Sequence, residues 1–235
     1  MRIIAFMNQK GGVGKTTSVA TVGAILAKQG KKVLLIDTDY QENLTYIFKD
    51  KRDFVNANLY HLLAGEKNIN EVIYETRIEN LFLLPSSDEI YEIKVFDKLN
   101  FTNLDYDFIL FDTPPTMTDI TMIALISSTD IIIPVEMSAL ALQGISKMER
   151  SVFLAQEHNK ELRILGLLPT KVDRRLAITD AIKDLLPENI PLLEIDIPLT
   201  SDVNNAYMMG ETIIEYNPKS RVTKAYEKFI EEVLA

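Results

Sequence analysis

The chain contains no cysteine and no tryptophan among its 235 residues, and its two histidines are His61 and His158. A chain without cysteine can form no disulfide, no iron–sulfur cluster and no thiolate zinc site. Two histidines far apart in the sequence also argue against a histidine-rich metal centre or a histidine-dependent catalytic triad. These absences exclude the thiol-based classes of protein and disfavour the histidine-based ones.

Long apolar runs and an excess of positive charge are missing as well. No apolar run approaches the ~18 residues of a membrane-spanning helix, and the five apolar residues of Ile3–Met7 are too few for the core of a signal peptide. The 25 Lys and Arg residues against 34 Asp and Glu give a net charge of −9. This balance argues against binding nucleic acid by bulk charge, although a local basic patch is compatible with it. We therefore expect a soluble, cytoplasmic protein.

Short apolar runs alternate with helical patterns along the whole chain. The predicted strands are Ile3–Met7, Val33–Ile36, Leu81–Leu84, Phe108–Phe111, Ile131–Val135, Ile164–Leu168 and, with a weaker pattern, Leu192–Ile195. The predicted helices span residues 15–29, 138–158, 175–186 and 219–234. Several runs are apolar almost throughout, as in parallel strands that are covered on both faces. The alternation predicts an α/β fold with a doubly wound, mostly parallel sheet flanked by helices, in a single domain over residues 1–235.

A glycine-rich segment follows the first predicted strand and opens the first predicted helix, which is the context that a phosphate-binding loop requires. Its glycines allow the backbone to approach phosphate closely and to aim its N–H groups inward, with a favourable helix dipole. The loop residues expected to contact nucleotide are Lys10, Gly11, Gly12, Val13, Gly14, Lys15, Thr16 and Thr17. Lys15 would bridge the β- and γ-phosphates, Thr16 would bind Mg²⁺, and Thr17 would reach the α-phosphate. A plain glycine-rich turn is the alternative, and the agreement of glycines, lysine, threonine and context disfavours it.

The run Lys-Gly-Gly-Val-Gly-Lys-Thr-Thr, residues 10–17, resembles the deviant phosphate loop of the ParA/MinD superfamily of ATPases. Gln9 occupies the first glycine position of the usual motif, and a second lysine, Lys10, lies inside the loop. The resemblance implies ATP as the nucleotide and a homodimer in which Lys10 reaches the partner's phosphates. A solvated surface lysine is the alternative interpretation of Lys10.

Three aspartates lie at the ends of predicted strands. Asp37 and Asp39 end the second strand at a spacing of two, so they face the same way at the edge where such sheets bind ligands. Asp112 ends an apolar strand, and a carboxylate there can hold a metal through water. The resemblance implies that Asp37 and Asp112 join Thr16 around Mg²⁺ and that Asp39 orients the attacking water. The catalytic residues expected from it are thus Lys10, Lys15 and Asp39.

Two other segments resemble known nucleotide-binding motifs. Residues 41–45 resemble the family's Asp-Pro-Gln-Gly-Asn run, but Tyr40 replaces the proline and Glu42 replaces the glycine, which leaves the local geometry open. Residues 170–173 look like the Thr-Lys-x-Asp motif that binds guanine, which makes a GTP-using switch an alternative. The family resemblance instead implies ATP, with the base near Thr170 and Pro198.

The C-terminal segment separates the branches of the superfamily. Residues 222–235 are helical in pattern but carry several glutamates and no aromatic-basic face, unlike the membrane helix of the MinD branch. The iron–sulfur branches need cysteines, so the ParA branch remains, in its short form without an N-terminal helix-turn-helix domain. This branch implies an ATP-dependent sandwich dimer that binds DNA non-specifically. A ParB-like partner stimulates hydrolysis, so that a plasmid, chromosome or other nucleoid-carried cargo is segregated. A MinD-like regulator at a membrane or protein assembly is the alternative.

The expected DNA surface is sparse. Relatives use arginines in an Ile-Pro-Arg-Asn-x-Arg stretch, whereas the matching residues 197–202 place Leu199 and Asp202 at those positions. The basic residues that remain as candidates are Arg174, Arg175, Lys219, Arg221 and Lys224. We therefore expect weak, salt-sensitive DNA binding that needs the ATP dimer.

Overall fold

A seven-stranded sheet forms the middle layer of the computed structural model, which describes residues 1–48, 57–94, 97–173 and 189–234. The strands are β1 (Arg2–Phe6), β2 (Val33–Asp37), β3 (Tyr74–Glu75), β4 (Leu81–Leu84), β5 (Phe108–Asp112), β6 (Asp130–Glu136) and β7 (Arg163–Thr170). Their order is β3-β4-β2-β5-β1-β6-β7, and every pair is parallel except β3 with β4. The prediction of an α/β, mostly parallel sheet is confirmed.

Helices cover both faces of this sheet. They are α1 (Lys15–Lys28), α2 (Asn43–Phe48), α3 (Leu59–Leu63), α4 (Asp119–Ser127), α5 (Ala139–His158), α6 (Ser201–Met209), α7 (Ile213–Tyr216) and α8 (Arg221–Phe229), which continues into a π turn over Ile230–Leu234. Alternate side chains of each strand enter opposite cores. In β2, Val33 and Leu35 pack with α1 and α8, while Leu34 and Ile36 pack with α4 and α5. Burial on both faces explains why the strands are almost entirely apolar.

One predicted strand is wrong. Residues Leu192–Ile195 form no strand; they run beside β7 with a single bridge between Leu167 and Leu192. The flanking prolines, Pro191 and Pro198, lack the N–H donors that a continuous ladder needs. The predicted helix over residues 175–186 lies outside the described residues. Strand β3 and the short helices α2, α3, α4, α6 and α7 were not predicted, because short segments carry too little periodicity.

The carboxyl ends of the central strands meet at one edge of the sheet. In the register, Asp112 at the end of β5 lies between Phe6 of β1 and Asp37 of β2. The chain leaves β1 at this edge and enters α1 through the glycine-rich loop. The fold therefore brings the loop and the strand-end aspartates together.

Candidate nucleotide-binding site

The loop between β1 and α1 has the backbone that its glycines permit. Gly12 and Gly14 adopt φ angles of 74° and 91°, in the left-handed region where a side chain would be strained. Gly14 is also the N-cap of α1, and having no side chain it leaves the first-turn N–H groups uncapped. Such uncapped N–H groups, with the positive end of the helix dipole, form an anion-binding site.

The carbonyl groups of the loop are held by partners on the protein side. The Thr170 hydroxyl donates to the Val13 carbonyl at 2.7 Å, and the Ser18 hydroxyl donates to the Gly14 carbonyl at 2.8 Å. Because a trans peptide is planar, each N–H points opposite to the carbonyl of the same peptide unit. Anchoring these two carbonyls therefore directs the N–H groups of Gly14 and Lys15 away from the protein.

Lys15 is buried and lies beside the aspartates. Its Nζ donates to the Asn8 carbonyl at 3.0 Å. Burial lowers the pKa of Lys15, and the charges of Asp112 and Asp39 oppose this shift. Thr16 and Thr17, which follow it in α1, are half-buried. The lysine predicted to bind phosphate thus has two carboxylates as its electrostatic neighbours.

Lys10 lies at the surface of the loop and is paired within its own chain. Its Nζ lies 2.6 Å from Glu136 Oε2, at the end of β6, and both side chains are 42% exposed. Its backbone N–H donates to the Asn8 side chain at 2.8 Å, and Asn8 in turn donates to the Pro134 carbonyl at 2.7 Å. Asn8 and Glu136 were not predicted as site residues, because single polar residues at strand ends carry no motif.

Asp37 is completely buried and fully hydrogen-bonded. One of its oxygens accepts from the Asp39 N–H at 3.0 Å, and the other accepts from both the N–H and the hydroxyl of Thr45 at 2.8 Å. Burial raises the pKa of Asp37 to about 7, against the opposing hydrogen bonds from Thr45 and Asp39. Asp37 therefore also fastens α2 to the end of β2.

Asp112, unlike Asp37, has no regular hydrogen bond to its carboxylate. Both of its carboxylate oxygens are buried without a hydrogen bond of regular geometry. Burial raises the pKa of Asp112 well above its ordinary value and the charge of Asp37 adds to this, while the nearby Thr16 hydroxyl and Lys15 ammonium act in the opposite direction. A buried carboxylate without a partner is one that a cation or an ordered water would satisfy.

The residues present fit Mg²⁺. Hydroxyl and carboxylate oxygens are the hard ligands that this ion prefers, and it is commonly held by one or two protein groups together with substrate phosphates. Within the described ranges, no cluster of three or more acidic or histidine side chains could hold a metal by itself. The donor set around Asp112 suits an ion that arrives with a nucleotide.

The segment after β2 contains a strained residue. Asp39 is 6% exposed, and its carboxylate accepts from the Gln41 N–H at 3.0 Å. Glu42 adopts a φ angle of 54°, in the left-handed region, at the position where the family motif has glycine. The chain keeps the glycine-type turn without the glycine, at a cost in backbone strain.

The residues expected near the base lie beside the loop. Thr170 ends β7 and holds Val13, as described, and Pro198 forms a bridge with Val172. Lys171 adopts a φ angle of 54°. Thr170 therefore holds the phosphate loop in place. This role accounts for a threonine at position 170 without any contact to a guanine base.

The predicted DNA-facing residues fall in two groups. Arg174 and Arg175 lie outside the described residues, whereas Lys219, Arg221 and Lys224 are exposed just before and along α8. Arg221 and Lys224 border a groove of about 700 Å³ whose other wall includes Glu194.

Asp202, which stands at an arginine position of the relatives' motif, accepts hydrogen bonds from Asn217 at 3.1 Å and Ser220 at 2.9 Å. It therefore also ties the start of α6 to the turn before α8. The apolar face of α8, with Val222, Tyr226 and Phe229, is buried in the core. Among the described residues, no helix combines the length and apolar character needed to cross a membrane.

A parallel sheet whose first strand leads through a glycine-rich, lysine-bearing loop into a helix defines the P-loop class of nucleotide-binding proteins. A family model described as "AAA domain" matches residues 1–164. The chain is 33% identical to the sporulation initiation inhibitor protein Soj of Bacillus subtilis, over 100% of this chain and 98% of that protein. It is 31% identical to the chromosome-partitioning ATPase Soj of Treponema pallidum, over 100% and 97% of the two chains.

A solved structure extends the likeness to the fold. The septum site-determining protein MinD of Pyrococcus horikoshii, complexed with Mg-ADP, superposes with a TM-score of 0.81 at 28% identity, over 99% of this chain and 95% of that chain. The chain belongs to the ParA/Soj/MinD family of deviant Walker ATPases, and it is an ATPase of the chromosome-partitioning type.

Proposed function

We propose that this chain is a ParA-type switch that uses ATP and Mg²⁺. In the ATP state two copies form a sandwich dimer that binds DNA non-specifically, and a ParB-like partner stimulates hydrolysis and releases the dimer. The cargo is a plasmid, a chromosome or another body carried on the nucleoid. The observation that carries the proposal is the loop of residues 10–17 placed between β1 and α1, with buried aspartates beside its lysine. Residues 1–235 would act together as one ATPase domain.

In this proposal the loop binds the phosphates. The N–H groups of residues 11–15 would surround them, and the Lys15 ammonium would lie against the β- and γ-phosphates. Burial supports this role for Lys15, because a low dielectric strengthens its attraction for phosphate. The Thr17 hydroxyl would contact the α-phosphate, and Thr170 and Pro198 would border the base.

Mg²⁺ would neutralise charge that develops on the β- and γ-phosphates. The Thr16 hydroxyl and the carboxylates of Asp37 and Asp112 are the groups that would hold it, directly or through water. The unpartnered oxygens of Asp112 are the observation that supports this assignment. Asp39, fixed by the Gln41 N–H, would orient the attacking water and accept its proton.

Lys10 would act across the dimer. Its side chain is the half-exposed cation of the loop, as a contact in trans requires. Lys10→Ala should therefore retain Mg-ATP binding but lose the ATP-dependent dimer, as measured by light scattering. Lys160→Ala, at an exposed lysine in the turn before β7, is the matched control and should dimerise normally. If the Lys10→Ala variant dimerises like the native protein, Lys10 is a solvated surface lysine with no contact across the dimer.

The DNA surface would consist of Lys219, Arg221 and Lys224, with Arg174 and Arg175, in both copies of the dimer. The acidic wall of the neighbouring groove and the net charge of −9 favour weak binding. About six phosphate contacts per dimer would lower the affinity about a thousandfold between roughly 50 and 200 mM salt.

Arg221→Glu should abolish DNA binding without changing basal ATP turnover. The control Lys160→Glu should leave both DNA binding and turnover unchanged. Filter binding at several salt concentrations measures the DNA binding of both variants. Salt-insensitive binding, or an Arg221→Glu variant that still binds, would place the DNA surface elsewhere.

A further inference from the structure

A buried hydrogen bond joins the start of α1 to the C-terminal helix. The hydroxyls of Ser18 and Tyr226 are 2.7 Å apart, although the two residues are 208 positions apart in the sequence. Ser18 is 0% exposed and Tyr226 is 1% exposed, so no water competes for this contact. The pair lies one helical turn behind the phosphate loop, and Tyr226 has no part in the site described above.

The direction of the hydrogen bonds follows from the number of protons. The Ser18 hydroxyl carries one proton, which it donates to the Gly14 carbonyl at 2.8 Å. The Tyr226 hydroxyl must therefore be the donor to the Ser18 oxygen. Burial raises the pKa of Tyr226, so the phenol is protonated and has a proton to donate. The result is a directed chain from Tyr226 through Ser18 to Gly14.

This series of hydrogen bonds ends at the Gly14–Lys15 peptide unit, which in the proposed function faces the phosphates. The Gly14 carbonyl accepts from both the Ser18 hydroxyl and the Ser18 N–H, at 2.8 and 2.9 Å. The Gly14–Lys15 peptide is planar, so the direction of this carbonyl fixes the direction of the Lys15 N–H. Consecutive hydrogen bonds also polarise one another, which makes the terminal N–H a better donor.

We propose that Tyr226 is a positioning residue of the nucleotide site: through Ser18 it fixes and polarises the Gly14–Lys15 peptide whose N–H binds the nucleotide's phosphates. Without the Tyr226 hydroxyl, Ser18 would lose the donor that holds its rotamer, and the Gly14–Lys15 peptide would lose one restraint. The ring of Tyr226 packs in the core with α1, so removing the hydroxyl alone leaves that packing in place. This inference rests on the proposed phosphate-binding role of the loop.

The test compares two tyrosine hydroxyls in the full-length chain. Tyr226→Phe removes the proposed donor, and Tyr74→Phe removes a hydroxyl that donates to the Ala57 carbonyl at 2.8 Å, on the edge strand β3. Mg-ADP and Mg-ATP affinities are measured by calorimetry, and stability by urea unfolding. Each substitution should lower stability by a similar amount, but only Tyr226→Phe should weaken nucleotide binding, by roughly three- to tenfold, the value of one buried hydrogen bond.

A double mutant separates positioning from general loosening. Ser18→Ala should weaken nucleotide binding, and adding Tyr226→Phe to it should produce no further loss, because the two residues act in series. Native affinity in Tyr226→Phe, an equal loss in Tyr74→Phe, or an additive loss in the double mutant would overturn the inference. A native chain that binds neither nucleotide would instead overturn the proposed function itself.

Discussion

We expect the ion pair between Lys10 and Glu136 to weaken ATP-dependent dimerisation. If Lys10 must reach the partner's phosphates, each protomer has to break this 2.6 Å contact first. A half-exposed ion pair contributes about 0.2–1 kcal/mol, which corresponds to a factor of about 1.4 to 5 at room temperature. Since both protomers open, the two factors multiply. Glu136→Gln should therefore strengthen ATP-dependent dimerisation by about twofold to thirtyfold.

The pair is formed at neutral pH. The Lys10 hydrogen bond is the main cause that lowers the pKa of Glu136, with opposition from burial and added support from the charges of Lys10 and Lys171. A carboxyl whose pKa is lowered by folding contributes its stabilisation above its ordinary pKa and loses it only as the pH falls through the lowered value. The comparison of native and variant chains is therefore made near pH 7, where the contact is intact.

Sedimentation velocity over a range of protein concentrations, with Mg-ATP, measures the dimerisation constant. The matched control is Glu71→Gln, which removes the exposed pair of Glu71 with Lys67 at 3.1 Å and should leave dimerisation unchanged. Adding Asp39→Ala to the native chain and to each variant would prevent ATP hydrolysis during the run. A Glu136→Gln chain that dimerises no more tightly than the native one would refute the reasoning, because the pair would then oppose nothing.

Three further substitutions test the site. Lys15→Ala should abolish Mg-ATP binding in calorimetry, because the loop loses the ammonium that neutralises the phosphates; retained affinity would contradict its role. Asp39→Ala should stop phosphate release while the ATP-dependent dimer survives in light scattering, and native turnover would exclude Asp39 from orienting water. Glu42→Gly should raise the free energy of unfolding by up to about 1 kcal/mol, because the left-handed backbone costs a non-glycine residue about 1–2 kcal/mol and glycine's greater unfolded-state entropy returns about half of that. Urea denaturation measures it, and a lower midpoint would show that the Glu42 side chain makes a compensating contact.

Features that depend on neighbouring residues could be predicted from the sequence. Strands β2 and β5 are continuous apolar runs because both of their faces are buried, and each ends at an aspartate at the edge of the sheet. The phosphate loop is equally local, since its glycines, its lysine and the start of α1 follow one another directly. The spacing of Asp37 and Asp39 likewise placed both carboxylates at the same strand end.

Features that join distant segments were decided only by the tertiary structure. Register determines that Asp112 lies beside Asp37, and the surrounding packing buries its oxygens without a hydrogen bond of regular geometry. Glu136 meets Lys10 across 126 positions, and Tyr226 meets Ser18 across 208, because packing of the strands and of α8 sets those distances. The sequence therefore determined, through local backbone chemistry, the loop that we propose binds phosphate. Their partners and electrostatic state depend on side chains that only folding brings within hydrogen-bonding distance.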